Sequence, residues 1–199
     1  MQKITDVSAL NALYPEAADL SLTKVARAIT PLYRRWIGVS RFVVLSTVGP
    51  EGTDGSPRGD DGPVVQIHDD TTLLLPDWRG NNRLDSLRNI VRDGRVSLMF
   101  MVPGCDTVVR VNGTAILTDE SELRQGFEKA GKTPATVIVV TIGEMYFQCA
   151  KALMRAQLWA GMDRPDLPTA GDFLREMKSD FDGKAYDAGY ADYARGRMW

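Results

Sequence analysis

The chain has 199 residues, with 24 Lys plus Arg, 26 Asp plus Glu, one His and two Cys. A formal charge of -2 gives no bulk attraction for nucleic acid or anionic lipid, while 44% hydrophobic residues can fill one ordinary core. One His and two Cys cannot build a four-ligand Cys/His zinc site, and Cys105 and Cys149 lack CxxC spacing, so neither a metal centre nor a disulfide framework is expected.

No basic stretch followed by an apolar one marks the N-terminus as a secretory signal. The longest apolar run, Leu98 to Val102, is five residues, against the roughly 20 that a membrane helix needs. A cytoplasmic protein without a membrane or nucleic-acid partner is expected. Any chemistry then falls to a bound cofactor or to carboxylates and arginines.

Residues 1–40 read as a helical segment packing on a following domain. Val25, Ile29, Leu32 and Trp36 recur at four, three and four, one helical face, and Thr30-Pro31 supplies an N-cap and N1 pair that restarts the helix. From Arg41 the period changes. Residues 41–48, 64–67, 72–75, 96–102, 107–117 and 136–147 read as six strands, with turns at Asp69-Asp70 and Pro103-Gly104. Helical patterns intervene at 84–91, 120–130 and 151–159. Short turns between strands predict a mainly β protein with flanking helices, an antiparallel sheet curling into a barrel over residues 41–160. Residues 161–199 add one helix at 171–178 and an aromatic tail of Tyr186, Tyr190, Tyr193 and Trp199 that must pack on the body or on a partner.

Three clusters can carry binding. Pro76-Asp77-Trp78-Arg79-Gly80-Asn81-Asn82-Arg83 leaves a strand and enters a helix, with Asn82 as N-cap and Asp85 completing a capping-box pair. Such a helix start, flanked by Arg79 and Arg83, suits a phosphate dianion. A capped helix with surface ion pairs explains the same residues equally well. Ser56-Pro57-Arg58-Gly59-Asp60 reads as a polar connection in which Gly59 permits close approach by a flat ligand. Lys151, Arg155 and Trp159 recur every four residues after Gln148 and share a helical face fit for a planar anion, or for solvent. Arg124, Arg164 and Arg175 read as solvated charges, His68 as a turn residue, and Cys149 lacks a nearby His base.

With Phe42-Val43-Val44-Leu45-Ser46-Thr47, Arg95-Val96-Ser97-Leu98-Met99-Phe100, Val111-Asn112-Gly113-Thr114-Ala115 and Cys149-Ala150-Lys151-Ala152-Leu153, these clusters resemble the pyridoxamine 5'-phosphate oxidase-like family of FMN-binding split barrels. The resemblance runs from about Trp36 to Trp159 and is nearest to its flavin-nucleotide-binding subgroup. It implies a six-stranded split barrel, FMN as cofactor, and a homodimer with FMN at the subunit interface. It implies Arg79, Asn82 and Arg83 at the phosphate, and Arg58, Gly59, Asp60, Pro76 and Asp77 along the ribityl chain or ring. Gln148, Lys151, Arg155 and Trp159 would come from the partner subunit.

The implied activity is an FMN-dependent oxidoreductase with a small-molecule electron donor or acceptor, hydride passing at flavin N5. A non-catalytic flavin carrier is the alternative, and a barrel holding haem or deazaflavin a third reading. The chain departs from the oxidase itself, whose tail reads Arg-Leu-x-Pro where this one ends Ala194-Arg195-Gly196-Arg197-Met198-Trp199. The phosphate loop likewise has Gly-Asn-Asn-Arg for a Ser-Arg-Lys pattern, and Gln148 stands where near relatives carry His.

Overall fold

The computed structural model describes residues 1–161 and 166–199, and among them seven strands form one antiparallel sheet. The strands are β1 (Phe42–Gly49), β2 (Gly52–Gly59), β3 (Gln66–Ile67), β4 (Thr72–Asp77), β5 (Arg95–Met101), β6 (Val108–Thr118) and β7 (Thr136–Gln148). Their order is β2-β1-β5-β6-β7-β4-β3. The helices are α1 (Val7–Asn11), α2 (Asp19–Thr23), α3 (Pro31–Ile37), α4 (Asp85–Arg92), α5 (Ser121–Gln125), α6 (Lys151–Ala156), α7 (Ala170–Met177) and α8 (Gly183–Arg195). No helix among the described residues is long and apolar enough to cross a membrane.

The central strands follow their sequence pattern. In β5 the residues Val96, Leu98 and Phe100 are buried and alternate with half-buried neighbours. They join Leu45, Leu73, Leu75, Val111, Ile138 and Met145 in one core, where each large side chain contributes about 1.5–3 kcal/mol by leaving water. β4 is buried on both faces because Leu74 turns the other way, into a second cluster with Phe127 and Val137. Thr30 caps α3 and Pro31 opens it, as their types require. The N-terminal segment reaches β7 through a bridge between Ala26 and Met145 and through Tyr33, whose hydroxyl accepts from the Phe147 amide at 3.1 Å.

β2 is the element that residue pattern alone does not reveal. Gly49 to Gly52 is a hairpin turn, and Gly52–Gly59 pairs with β1 along its whole length, Arg58 opposite Val43. A strand of sequence GTDGSPRG offers no apolar run, yet as an edge strand it tolerates Pro57 and is held by backbone bonds to β1. Arg58 and Gly59 therefore lie on a strand rather than on a polar connection. Along it Asp54, Ser56 and Arg58 turn inward and are half-buried.

α4 also departs from expectation. Its N-cap is Leu84 at φ 61°, and Asn82 is itself left-handed at φ 60°, so Asn82 does not cap and the pair with Asp85 does not form. The chain turns twice before the helix. Asn81 accepts from the Arg83 amide at 3.1 Å instead. The buried face of α4 is Ser86, Asn89 and Ile90, with Leu87 packed against the same core and Val91 exposed. Ser86 donates to Asp54 of β2, and buried Asn89 donates to Thr47 of β1 at 3.1 Å. Polar anchors thus fix α4 on the β1–β2 hairpin and set where its N-terminus points.

Two other predicted helices are shorter. α5 ends at Gln125, before a turn in which Ala130 and Gly131 have positive φ. α6 ends at Ala156 because Gln157 is left-handed, which removes Trp159 from the helical face of Lys151 and Arg155. α7 and α8 form a helical hairpin whose crossing is Gly171 against Gly183, where a Cβ on either would strike the other's carbonyl oxygen. Asp187 accepts from the Gly171 amide at 2.9 Å across that crossing. Arg164 lies outside the described residues.

Candidate functional site

The sheet is curled but not closed: among the described residues β2 pairs with β1 alone, and β4 lies across a gap from it. Side chains bridge the gap. Arg58 of β2 donates to Asp77 of β4 at 2.5 Å, with the two side chains 19% and 14% exposed. Arg58 Nε also reaches Ser56 Oγ at 3.1 Å. Beside this pair opens a cleft of about 1900 Å³ between β2, the end of β4, the loop 78–84 and the start of α4. Its far wall is α8 with the residues that follow it.

The cleft is cationic within a chain of net charge -2. Arg58, Arg79, Arg83, Arg124, Lys132 and Arg197 line it against Asp54, Asp60, Asp77 and Asp85, six cations to four carboxylates. Arg79 is exposed and makes no ion pair among the described residues. Arg83 is shared with Asp85 at 2.8 Å on the surface. No side chain caps α4, so its first N–H groups and positive dipole end are open to the cleft. On the β7 wall the buried Thr136 hydroxyl has no hydrogen-bond partner among the described residues. Arg124 is not solvated as expected: its guanidinium is half-buried and donates to the Pro134 carbonyl at 2.8 Å.

Asp60 does something other than wait for a ligand. Its carboxylate, 4% exposed, accepts from Lys129 Nζ and from Trp78 Nε1, the latter at 3.2 Å. Lys129 also bonds the exposed Asp61. The bond from Lys129, helped by Asp60, holds the Asp61 carboxyl below its ordinary value. Burial pulls the Lys129 ammonium down, but the bonds to Asp60 and Asp61 outweigh it and leave it raised.

The signs fix a pH window. The lowered Asp61 contributes stability above the ordinary carboxylate value of 3.8, lost as pH falls through its depressed value. The raised Lys129 contributes fully below 10.5 and loses its share as pH rises through its elevated value. Stability to denaturant is therefore expected to lose the Asp61 share only as pH falls below the ordinary carboxylate range, and the Lys129 share only as pH rises beyond the ordinary lysine range. A midpoint inside the window would contradict the cluster.

Of the sequence-predicted residues, Arg58, Gly59, Asp60, Pro76, Asp77, Arg79, Asn82 and Arg83 meet at this one cleft. Gly59 is not demanded by its neighbours, since a Cβ there would lie 3.6 Å from the Arg41 carbonyl, an ordinary contact. Gln148, Lys151, Arg155 and Trp159 do not line it. Thr136 and Gln148 are the two ends of the 13-residue β7, and at about 3.3 Å per residue they are separated by up to about 40 Å. Gln148 accepts from Arg110 at 3.5 Å, Lys151 and Arg155 are exposed, and Trp159 donates to the Cys105 carbonyl at 2.9 Å.

Residue pattern gives no role to Trp78, Lys129 or Thr136, and places the tail aromatics on the body or on a partner without saying where. Trp78 stood inside the quoted loop motif, flanked by Asp77 and Arg79. For Lys129 the one clue is Gly131, a turn signal directly after what reads as a helix over 120–130.

An open antiparallel barrel with side chains bridging its split defines a split-barrel protein, and the cationic cleft beside them is suited to an anion. The chain belongs to the pyridoxamine 5'-phosphate oxidase family, whose family model matches residues 29–149. No protein of curated function matches it. Among solved structures, HupZ of Group A Streptococcus is 17% identical with a TM-score of 0.50, over 60% of this chain and 93% of that one. A variant of the same protein gives 17% and 0.51, over 60% and 99%. An FMN-binding protein from Syntrophomonas wolfei is 15% identical with a TM-score of 0.43, over 64% of this chain and 90% of that one. At these identities the likeness to HupZ shows the fold. FMN is the cofactor that family membership supports.

Proposed function

We propose that this protein binds FMN in the split cleft and acts as an FMN-dependent oxidoreductase in homodimeric form, residues 41–160 forming the cofactor-binding domain. The observation that carries the reading is the pair Arg79 and Arg83 beside the uncapped N-terminus of α4, in a cationic cleft of a weakly acidic chain. That donor set fits a phosphate dianion. The unpartnered Thr136 hydroxyl adds a buried polar group that a ligand heteroatom would satisfy. When bound, FMN supplies hydride or electron transfer that no side chain of this chain could provide.

The residues hold and orient. Arg79 and Arg83 take the phosphate with Asn82 in the same loop. Arg58 and Asp77 neutralise each other, so they shape the floor beside the ring or ribityl chain rather than attract charge. Pro76 is buried beneath them and Gly59 leaves the strand edge open. Asp60 serves the site by fixing Trp78 and Lys129. Gln148 at the far end of β7, and Lys151, Arg155 and Trp159 beyond it, do not line the cleft of their own chain, and in the homodimer reading a second copy supplies that side. No His or Cys lines the cleft, and this favours, as the second reading, a carrier that binds flavin without turning it over.

Purified protein tests both. It is expected to carry yellow, flavin-band absorption and to release FMN on denaturation, and turnover of NAD(P)H or another reductant with an acceptor separates enzyme from carrier. A protein that stays colourless and apo in added FMN would overturn the reading.

A further inference from the structure

The C-terminal segment has no role in the reading above, yet it forms a wall of the cleft. Tyr186, Tyr190 and Tyr193 of α8 face the cavity, followed by Arg197 and Trp199. The steps of four, three and four are those of one helical face. Arg197 lies over the Tyr193 ring at 4.2 Å and donates to its hydroxyl at 2.9 Å, so the end of this face is tied to itself. Within the fold α8 packs chiefly on α7, and Trp199 ties the segment to the barrel.

That tie has two parts. The Trp199 ring meets Trp78 edge-on, centroids 5.3 Å apart at 74°, and Lys129 Nζ sits 4.4 Å above the Trp199 ring. Neither receiving group is loose. Trp78 rests on the small core of Leu74, Phe127 and Val137, and its Nε1 donates to Asp60. Lys129 is held by the same buried Asp60 carboxylate and by Asp61. One carboxylate therefore positions both side chains that grip Trp199. Trp78 directly precedes Arg79, so the grip adjoins the arginine-bearing loop.

We infer that the C-terminal segment is the closing wall of the cleft, and that Trp199, latched on Trp78 and Lys129, is a positioning residue that retains the bound ligand. The inference rests on the FMN reading only for the identity of the ligand. An edge-on aromatic pair plus a half-buried cation–π contact are together worth about tenfold to a hundredfold in an opening equilibrium. A ligand behind a closed wall leaves only when the wall opens, so its release rate carries that factor. By linkage, a ligand that favours the closed form makes the latch harder to open.

Trp199→Ala and Trp199→Phe in the full chain test it, since Trp199 belongs to neither hydrophobic core of the barrel. In apo protein, Trp199→Ala is expected to speed amide hydrogen exchange across residues 78–84 while the melting temperature of the barrel holds, and Trp199→Phe to restore most of the protection. In the FMN complex, Trp199→Ala is expected to speed FMN release about tenfold or more, again with rescue by Phe. Unchanged exchange in the apo protein overturns the latch whatever FMN does. Faster exchange with unchanged FMN release overturns the retaining role. Faster exchange in Trp199→Ala, when the wild-type protein takes up no FMN, supports the closing wall and sinks the cofactor reading instead.

Discussion

Replacing Arg79 and Arg83 together by alanine is expected to weaken FMN binding by about a hundredfold to ten-thousandfold and riboflavin binding only slightly. Each guanidinium would lose a charge-assisted contact to the phosphate, worth about 1.5–3 kcal/mol, and about 1.4 kcal/mol is tenfold in Kd. The two arginines are not equivalent. Arg83 is already shared with Asp85, whereas Arg79 has no ion pair among the described residues, so Arg79→Ala alone should cost more than Arg83→Ala alone. Flavin fluorescence titration with both ligands reads the difference. Equal loss for FMN and riboflavin would make the pair structural, because riboflavin lacks the dianion on which the argument turns.

What the sequence discloses of this site follows a physical division. β5, β6 and β7 were legible because their inward residues, Val96, Leu98 and Phe100 among them, are chosen by burial. β2 was not, because its stability comes from backbone pairing with β1 and from what Asp54, Ser56 and Arg58 touch across space. The loop 79–83 could be placed at a helix start, but its cap could not: Asn82 and Leu84 adopt left-handed turns that local preference gives to Asn far more readily than to Leu. Contacts between residues far apart in the sequence hid the rest. Lys129 and Asp60 lie 69 positions apart, and Trp78 and Trp199 are united only by the folded tail. The aromatic tail itself was visible as something that must pack, and its partner proves to be the cleft wall of its own chain.

The split beside the cleft yields the second large effect. Arg58→Ala is expected to destabilise the fold by about 3–5 kcal/mol, because it leaves the Asp77 carboxylate, 14% exposed, without its counter-charge. Asp77→Ala should cost a similar amount by stranding Arg58, 19% exposed. The double variant should cost much less than the sum, since neither charge is then left unpaired, and denaturant unfolding of the four proteins measures that coupling. Simple additivity would mean that the two side chains act separately and that the split is held elsewhere. The expected coupling has a consequence for the cleft as well. β2 and β4 share no ladder, so the pair sets the spacing between the two strands that line the floor. Replacement by an apolar pair, Arg58→Met with Asp77→Leu, should then recover most of the stability while altering flavin affinity. That outcome would separate what holds the fold together from what shapes the site, two tasks that the wild-type pair performs at once.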